Sequence, residues 1–158
     1  MKLAPLSSFL TKDAILLDVD AKTKEDVISK LAQTLSKLSK DSAKPSLIKD
    51  ALLKREGNYT TAIGYSCAIP HAAINGLESV VMCLITTKEG VEFGASDGIP
   101  VKLFFSFVVP ACETASQPWI VKQVFKLLME PDIRARIMQA QSLDDVQRIV
   151  GEWEKEDH

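Results

Sequence analysis

The chain has 158 residues, 46% of them hydrophobic, which is enough to bury one substantial core, and nothing in its length requires a second domain. Its formal net charge is −2 at pH 7 and like charges are not gathered in blocks, so the composition argues against nucleic acids and membrane surfaces as partners. No segment approaches the roughly 20 consecutive apolar residues of a membrane span, and we expect one domain over residues 1–158 without membrane insertion.

The first part of the chain is predicted to contain a short helix, a strand and a long helix. Leu6 to Leu10 favours the short helix, and residues 14–19 form the brief apolar run that is typical of a strand. Thr23-Lys24-Glu25-Asp26 has the form of a capping box, in which side-chain oxygens satisfy the free N–H groups at a helix start. A helix is predicted over 24–38, because apolar residues recur at intervals of three and four: Val27, Ile28, Leu31, Ala32, Leu35 and Leu38.

A second long helix is predicted after a polar linker. The linker runs from Lys40 to Pro45 and the helix over 46–56, and we expect Gly57-Asn58 to end it because both residues favour turns. The apolar residues expected to face inward are Leu47, Ile48, Leu52 and Leu53.

Two apolar runs in the middle of the chain predict central strands. Residues 80–85 and 103–109 are apolar on both faces of an extended chain, which is typical of strands that are covered by helices on two sides. Turn-forming residues separate the two runs, and we expect an edge strand among Gly90, Gly94 and Asp97-Gly98.

The last part of the chain is predicted to be helical. One helix follows Pro118, a second opens at Pro131, and a third starts at Ser142, which begins another capping-box pattern. Helices on both sides of the strands define an α/β sandwich. Val121, Val124, Phe125 and Leu128 share one face of the first of these helices, and Val146, Ile149, Val150 and Trp153 are expected to face inward from the last.

His71 is the strongest candidate for chemistry near neutral pH, because the other histidine of the chain is the C-terminal His158. An imidazole with an ordinary pKa of about 6.5 can act as a nucleophile, a proton carrier or a metal ligand. Pro70 lacks an N–H and biases Ile69 towards extended geometry, so we expect the ring at a stiff, non-helical corner. The structural alternative is a packed histidine with one satisfied nitrogen.

Polar residues upstream favour a functional role for this histidine. Arg55 ends the second long helix, and a guanidinium binds phosphate or carboxylate bidentately. Thr60 and Thr61 precede Gly64, which allows the backbone to approach a ligand closely. These residues also fit a solvated helix end and an ordinary polar loop, so on their own they leave both interpretations open.

Three groups of residues together resemble one protein family. They are Arg55-Glu56 with Thr61-Ala62-Ile63-Gly64, then Ala68-Ile69-Pro70-His71, and then the segment from Val91 to Ala111. These groups are similar to the active-site segment and the strand–turn–strand pattern of phosphotransferase-system (PTS) enzyme IIA domains of the fructose/mannitol and nitrogen-regulatory class. The resemblance continues through Gln141 to Val150, which is similar to the closing helix of that family. It implies a small mixed β-sheet flanked by helices.

The resemblance implies a phosphohistidine relay. In this family the histidine accepts a phosphoryl group from the phosphorylated carrier protein HPr, and passes it to a cysteine of an enzyme IIB or holds it as a regulatory signal. Carried over, His71 is the nucleophile, Arg55 offsets phosphate charge, and the Thr61 hydroxyl contacts the phosphate. Phosphoryl transfer needs little beyond in-line placement and electrostatic stabilisation, so no metal or cofactor is expected.

The chain departs from the family pattern at one position. Members usually carry a second histidine at the start of the helix after Val-Pro-Ala, and alignment through Val109-Pro110-Ala111 puts Gln117 there. An amide can donate a hydrogen bond but carries no charge, and hydrogen bonds to charged groups are worth roughly 1.5–3 kcal/mol against 0.5–1.5 kcal/mol for neutral ones. Slower or less favourable phosphorylation is therefore expected, rather than its loss.

The leading hypothesis is a cytoplasmic enzyme IIA of the nitrogen-regulatory type, since no membrane or enzyme IIB segment lies within the 158 residues. One alternative is a non-catalytic or weakly phosphorylated binding module of the same fold, which Gln117 favours. Another is a sugar-uptake enzyme IIA that passes its phosphate to a separate enzyme IIB.

The cysteines add weaker alternatives. A Cys67 thiol nucleophile with His71 as base lacks an orienting motif, and a zinc site lacks ligand spacing. Three cysteines without a CxxC pair fit reduced thiols in a cytoplasm.

Overall fold

The computed structural model describes residues 4–40 and 42–156. Across these residues six strands form one sheet and six α-helices flank it. The elements in chain order are α1 Leu6–Phe9, β1 Ile15–Val19, α2 Lys24–Leu38, α3 Pro45–Asn58, β2 Ala62–Gly64, β3 Cys67–Ala68, β4 His71–Ile74, β5 Val81–Val91, β6 Val101–Pro110, α4 Ser116–Leu128, α5 Pro131–Gln139 and α6 Leu143–Lys155.

The sheet is mixed, as expected. Its centre is the antiparallel pair of β5 and β6, and β1 lies parallel to β5 on one side. On the other side, β3 and β4 both run parallel to β6, and β2 folds back antiparallel on β3. Strands β3 and β4 lie end to end along the same side of β6, separated by Ile69 and Pro70. His71 is the first residue of β4.

The two faces of the sheet are covered by different helices, which confirms the α/β sandwich. Alternate residues of a strand point to opposite faces. Phe105 and Phe107 of β6 pack in the cluster that includes α1, α4, α5 and α6, whereas Phe104 and Val108 pack in the cluster that includes α2 and α3. This arrangement explains why the central strands are apolar on both sides.

Both predicted N-caps are present, with a complete capping box at the start of α2 and the Ser142 half of one at the start of α6. The Thr23 hydroxyl accepts the Asp26 N–H at 3.1 Å and the Asp26 carboxylate accepts the Thr23 N–H, so helix α2 begins at the predicted Lys24. It also ends at the predicted residue, Leu38. At the start of α6, the Ser142 hydroxyl accepts the Asp145 N–H at 3.1 Å. The predicted linker at 40–45 contains Asp41, which lies outside the described residues.

Helix α3 differs from the prediction in its buried face and in its end. Leu47 is 45% exposed, because the buried stripe is narrow and repeats every four residues through Ile48, Leu52 and Glu56. The helix does not break at Gly57-Asn58 but continues to Asn58. A glycine inside a helix costs only about 1 kcal/mol relative to alanine, so Gly57 does not by itself end the helix.

The predicted separate edge strand between the central strands is wrong. Val91 still pairs with Val101, so residues 88–91 belong to a long β5 and the turn residues form its connection to β6. Strands β2 to β4 were not predicted, since two to four residues are too short to show a periodicity.

Helix α4 starts at Ser116, two residues before the predicted Pro118, because proline is tolerated in the first turn of a helix. Phe125 is 42% exposed, so the apolar face of this helix is only partly covered. Over the ranges described, the helices are all too short or too polar to cross a bilayer.

Candidate functional site

The backbone around His71 is held rigidly against the central strand β6. The Pro70 carbonyl accepts the Phe107 N–H at 3.1 Å and the Ser106 hydroxyl at 2.7 Å. The imidazole ring stacks on the Phe107 ring, with 5.0 Å between ring centroids and an angle of 8° between their planes. The expected stiff, non-helical corner is therefore the start of β4, and the ring has a fixed apolar platform beneath it.

One hydrogen bond determines which nitrogen of His71 is free. Nδ1 lies 2.7 Å from the Ile69 carbonyl oxygen, which can only accept, so Nδ1 carries the proton and donates. Nε2 then holds a lone pair. The pKa of His71 lies below its ordinary value, mainly because the ring is buried. The hydrogen bond to Ile69 raises this pKa, the positive charge of Arg55 lowers it further, and the negative charge of Glu56 raises it, so the net effect is a lowered pKa. The lowered pKa favours a neutral ring at neutral pH.

A surface hollow of about 580 Å³ surrounds this ring. His71 from β4, Arg55 from the end of α3 and Gln117 from the start of α4 all line it, so three of the four residues predicted from the sequence meet in one place. The remaining lining residues are Tyr59, Thr114, Pro118, Val121, Lys122 and Phe125.

Arg55 is held at the end of α3 by Tyr59. Its Nη1 donates to the Tyr59 carbonyl oxygen at 2.9 Å, and its guanidinium carbon lies 4.5 Å from the centre of the Tyr59 ring. The guanidinium makes no ion pair within the described residues, which leaves its other donors available to an anion in the hollow.

Thr61 is the one predicted site residue that does not line the hollow. It is buried, and its hydroxyl donates to Glu56 Oε2 at 2.7 Å while its N–H donates to Glu56 Oε1 at 2.8 Å. Its own carbonyl accepts the Ile69 N–H at 3.1 Å. Thr61 therefore lies behind the site and connects Glu56 to the residue whose carbonyl orients His71.

Glu56 belongs to the motif that resembles the family, but its structural role behind the site was not predicted. Its side chain is only 3% exposed, and besides Thr61 it accepts the Thr60 hydroxyl at 3.1 Å and lies 3.7 Å from Lys24 Nζ. Its signal in the sequence is a carboxylate four residues after Leu52, on the buried stripe of α3. A buried carboxylate is tolerated only with such partners, so Glu56 organises the loop that leads to His71.

Gln117 is the second residue of α4, and its backbone N–H donates to the Thr114 carbonyl oxygen at 3.1 Å. Its side chain is half-buried and makes no hydrogen bond within the described residues. Val121 and Phe125 follow Gln117 at intervals of four and eight residues, and Lys122 follows Pro118 at an interval of four, so two adjacent rows of α4 line the hollow. Lys122 and Phe125 were not predicted as lining residues, because the sequence does not show which face of α4 borders the hollow.

The thiol alternative finds no support in the geometry. Burial raises the pKa of Cys67 to about 12, so the thiol stays protonated at neutral pH, and it lies 3.5 Å from the Tyr65 carbonyl oxygen. Among the residues that the structure describes, no three His, Cys, Asp or Glu side chains form a group that could hold a metal ion.

The protein is a mixed sheet between two helical layers, and the His71 imidazole and the Arg55 guanidinium line the same hollow. The family model described as "Phosphoenolpyruvate-dependent sugar phosphotransferase system, EIIA 2" matches residues 8–153, and the chain belongs to this family. Proteins of the family are phosphotransferase components. The resemblance seen in the sequence is thereby confirmed, and so is the fold it implied.

Relatives of both functional branches are similar to the chain. It is 30% identical over 152 residues to the fructose-specific EIIA component of Haloferax volcanii, covering 96% of this chain and 98% of that protein. It is 27% identical over 145 residues to the nitrogen regulatory protein of Pseudomonas aeruginosa, covering 92% of this chain and 94% of that protein. The crystal structure of nitrogen regulatory protein IIA-Ntr from Neisseria meningitidis superposes with a TM-score of 0.86 at 27% identity, over 92% of this chain and 98% of that one.

Proposed function

We propose that the protein is a phosphocarrier of the PEP-dependent phosphotransferase system in which His71 accepts a phosphoryl group from phosphorylated HPr. The observation that carries this proposal is the orientation of the imidazole. Its Nδ1–H is committed to the Ile69 carbonyl, which leaves the lone pair of Nε2 for the hollow that Arg55 and Gln117 also line. The proposal names Nε2 as the phosphorylated atom.

The geometry supports a simple chemical role for each neighbour. Because the lowered pKa of His71 keeps its ring neutral, Nε2 attacks the phosphorus without first losing a proton. The P–N bond of the donor breaks, the donor ring keeps that electron pair, and the Nδ1 proton stays in its bond to Ile69. The resulting imidazolium is stabilised by the Ile69 carbonyl oxygen, and the phosphoryl oxygens are stabilised by Arg55 and the Gln117 amide.

Thr61 has a positioning role in this proposal rather than a direct contact with phosphate. Its hydroxyl and N–H are used by Glu56, and its carbonyl holds the N–H of Ile69. The chain from Glu56 through Thr61 to Ile69 thus sets the carbonyl that orients Nδ1 of His71.

The rim of the hollow supports docking of another protein. Tyr59 is 71% exposed and Phe125 is 42% exposed, and both aromatic side chains line the hollow. Aromatic residues of this kind are common at the centres of protein interfaces, and HPr must bring its phosphohistidine to within in-line distance of His71.

The nitrogen-regulatory role is the preferred downstream function. Its support is the IIA-Ntr structure, which superposes over nearly all of its own length with a TM-score of 0.86. The fructose-specific relative at 30% identity favours the second candidate, which is transfer to a cysteine of a separate enzyme IIB. The third candidate, a weakly phosphorylated regulatory module, rests on the neutral Gln117 in place of the second family histidine.

One assay tests the phosphocarrier proposal. The protein is incubated with enzyme I, HPr and phosphoenolpyruvate, and phosphate that is acid-labile but base-stable is expected on the wild type and absent from His71→Ala. Omission of HPr is the control for direct transfer from enzyme I. Retention of the phosphate in His71→Ala would overturn the assignment, and a wild type that never accumulates phosphate would favour the binding-module alternative.

The same reaction separates the two downstream roles. After removal of the donor, addition of an enzyme IIB of the fructose or mannitol type discharges His71 within seconds if the protein serves sugar uptake. A phosphoprotein that persists supports the regulatory role.

A further inference from the structure

Lys122 brings a second positive charge to the hollow around His71. It lies in the second turn of α4 and lines the hollow together with Arg55 and Gln117. Its side chain is exposed, and it makes no ion pair with any carboxylate among the described residues. An ammonium on a flexible four-carbon stem can therefore move to meet an anion bound there.

The site needs such a charge. A phosphoryl group on Nε2 adds about two negative charges. The sequence predicted a single cation, Arg55, to offset them. Glu56 lies behind the site, and its negative charge partly opposes the lowering of the pKa of His71 that burial and Arg55 produce. Gln117 is neutral, although the family usually has a histidine at this position.

We propose that Lys122 contacts the phosphoryl group on His71 and supplies the positive charge that Gln117 cannot carry. This inference rests on the proposed function. Thr114, Pro118, Val121 and Phe125 complete the wall from which Lys122 reaches the hollow. In the transfer step the Lys122 ammonium donates an N–H hydrogen bond to an equatorial phosphoryl oxygen. This bond stabilises the negative charge on the oxygens, and no proton is transferred.

The test compares substitutions at Lys122 with a matched control on the same helix. Lys126 is exposed and lies outside the hollow, so Lys126→Gln removes the same charge from α4 without touching the site. Lys122→Gln is expected to slow phosphorylation of His71 roughly tenfold, the loss expected for one charge-assisted hydrogen bond. Lys122→Arg and Lys126→Gln are expected to stay near the wild-type rate.

Two phosphoryl donors distinguish a contact with phosphate from a contact with a partner protein. With phospho-HPr as donor, a lysine that only attracts HPr would also produce a slower rate. Phosphoramidate has no protein surface, so a Lys122→Gln variant that is slow with both donors supports contact with the phosphoryl group. A defect confined to phospho-HPr would overturn the inference and assign Lys122 to docking.

A rescue experiment adds a readout that a structural role would not produce. The double variant Lys122→Gln with Gln117→His returns a cation to the hollow, and its rate is expected to recover below about pH 6.5, where histidine is charged. Equal rates for wild type and Lys122→Gln with both donors would overturn the inference while leaving the phosphocarrier proposal intact. A wild type that takes up no phosphate on His71 from either donor would instead overturn the proposed function, and the inference with it.

Discussion

The carboxylate of Glu56 accepts both the hydroxyl and the N–H of Thr61, at 2.7 and 2.8 Å, inside the fold and behind the candidate site. This pair is the first link between helix α3 and the loop that carries His71. The second link is the Thr61 carbonyl, which accepts the Ile69 N–H at 3.1 Å, and Ile69 in turn orients the imidazole. A buried acid is therefore connected, through Thr61 and Ile69, to an imidazole with which it shares no hydrogen bond.

Replacement of Glu56 by alanine is expected to destabilise the protein by about 3 kcal/mol. The change leaves the Thr61 donors without their charged acceptor, and hydrogen bonds to charged groups are worth roughly 1.5–3 kcal/mol each. Urea unfolding followed by circular dichroism measures the loss. Glu25→Ala is the matched control: Glu25 pairs with Lys49 at 3.1 Å but is 71% exposed, so a loss below about 1 kcal/mol is expected. Similar losses for the two variants would contradict the structural role of Glu56.

Replacement of Arg55 by glutamine is expected to reduce the rate of phosphorylation of His71 by about tenfold or more. The substitution keeps a hydrogen-bond donor and removes the charge, and a charge-assisted bond is worth roughly 1–2 kcal/mol more than a neutral one. Single-turnover transfer from phospho-HPr gives the rate. Lys54→Gln, an exposed neighbour that does not line the hollow, is expected to behave as the wild type. The role assigned to Arg55 fails if both variants lose the same amount.

Replacement of Gln117 by histidine is expected to accelerate phosphorylation severalfold, and more strongly at pH 6 than at pH 8. The new imidazole gains a positive charge below about pH 6.5 and then forms a charge-assisted contact with the phosphoryl oxygens. Gln123→His puts the same residue on α4 away from the hollow and controls for nonspecific charge. An unchanged rate in Gln117→His would show that the neutral amide imposes no penalty.

The pH dependence of the reaction follows from the lowered pKa of His71. Transfer is expected to be independent of pH above about 6.5 and to fall only when the medium is acidic enough to protonate Nε2, since the protonated ring has no lone pair. NMR titration of the His71 ring protons, assigned by comparison with His71→Asn, should give a midpoint below 6.5. A midpoint above that value would contradict the burial of the ring.

The same group contributes to stability with a definite sign. The folded protein binds a proton on His71 less readily than the unfolded chain does, so this contribution is present above pH 6.5 and is lost as the pH falls through the lowered value. The free energy of unfolding of the wild type, minus that of His71→Asn, is therefore expected to decrease as the pH falls from 6.5 through the lowered pKa of His71. A difference that grows as the pH falls would contradict the sign of the shift.

Local features of the sequence determined most of the helices and both central strands. The cap at Thr23 and the apolar spacing after it depend on neighbours within one or two helical turns, so helix α2 was predictable to the residue. The apolar runs over 81–85 in β5 and 103–109 in β6 were equally clear, because burial on both faces leaves a single polar residue, Ser106, within them. The motif ending in His71 identified the family, since it depends on residue types in order rather than on their contacts.

Only the tertiary structure decided which polar groups point at His71. Thr61 and Arg55 are both polar residues upstream of the histidine, and the sequence offers no reason to separate them. The burial of Glu56 turns Thr61 away from the hollow, whereas Lys122, which is 51 residues after His71, is brought to it by the packing of α4 against β6, the strand that pairs with β4. A backbone pattern is set by local interactions, but the direction of a side chain towards a shared hollow depends on pairing between segments far apart in the chain.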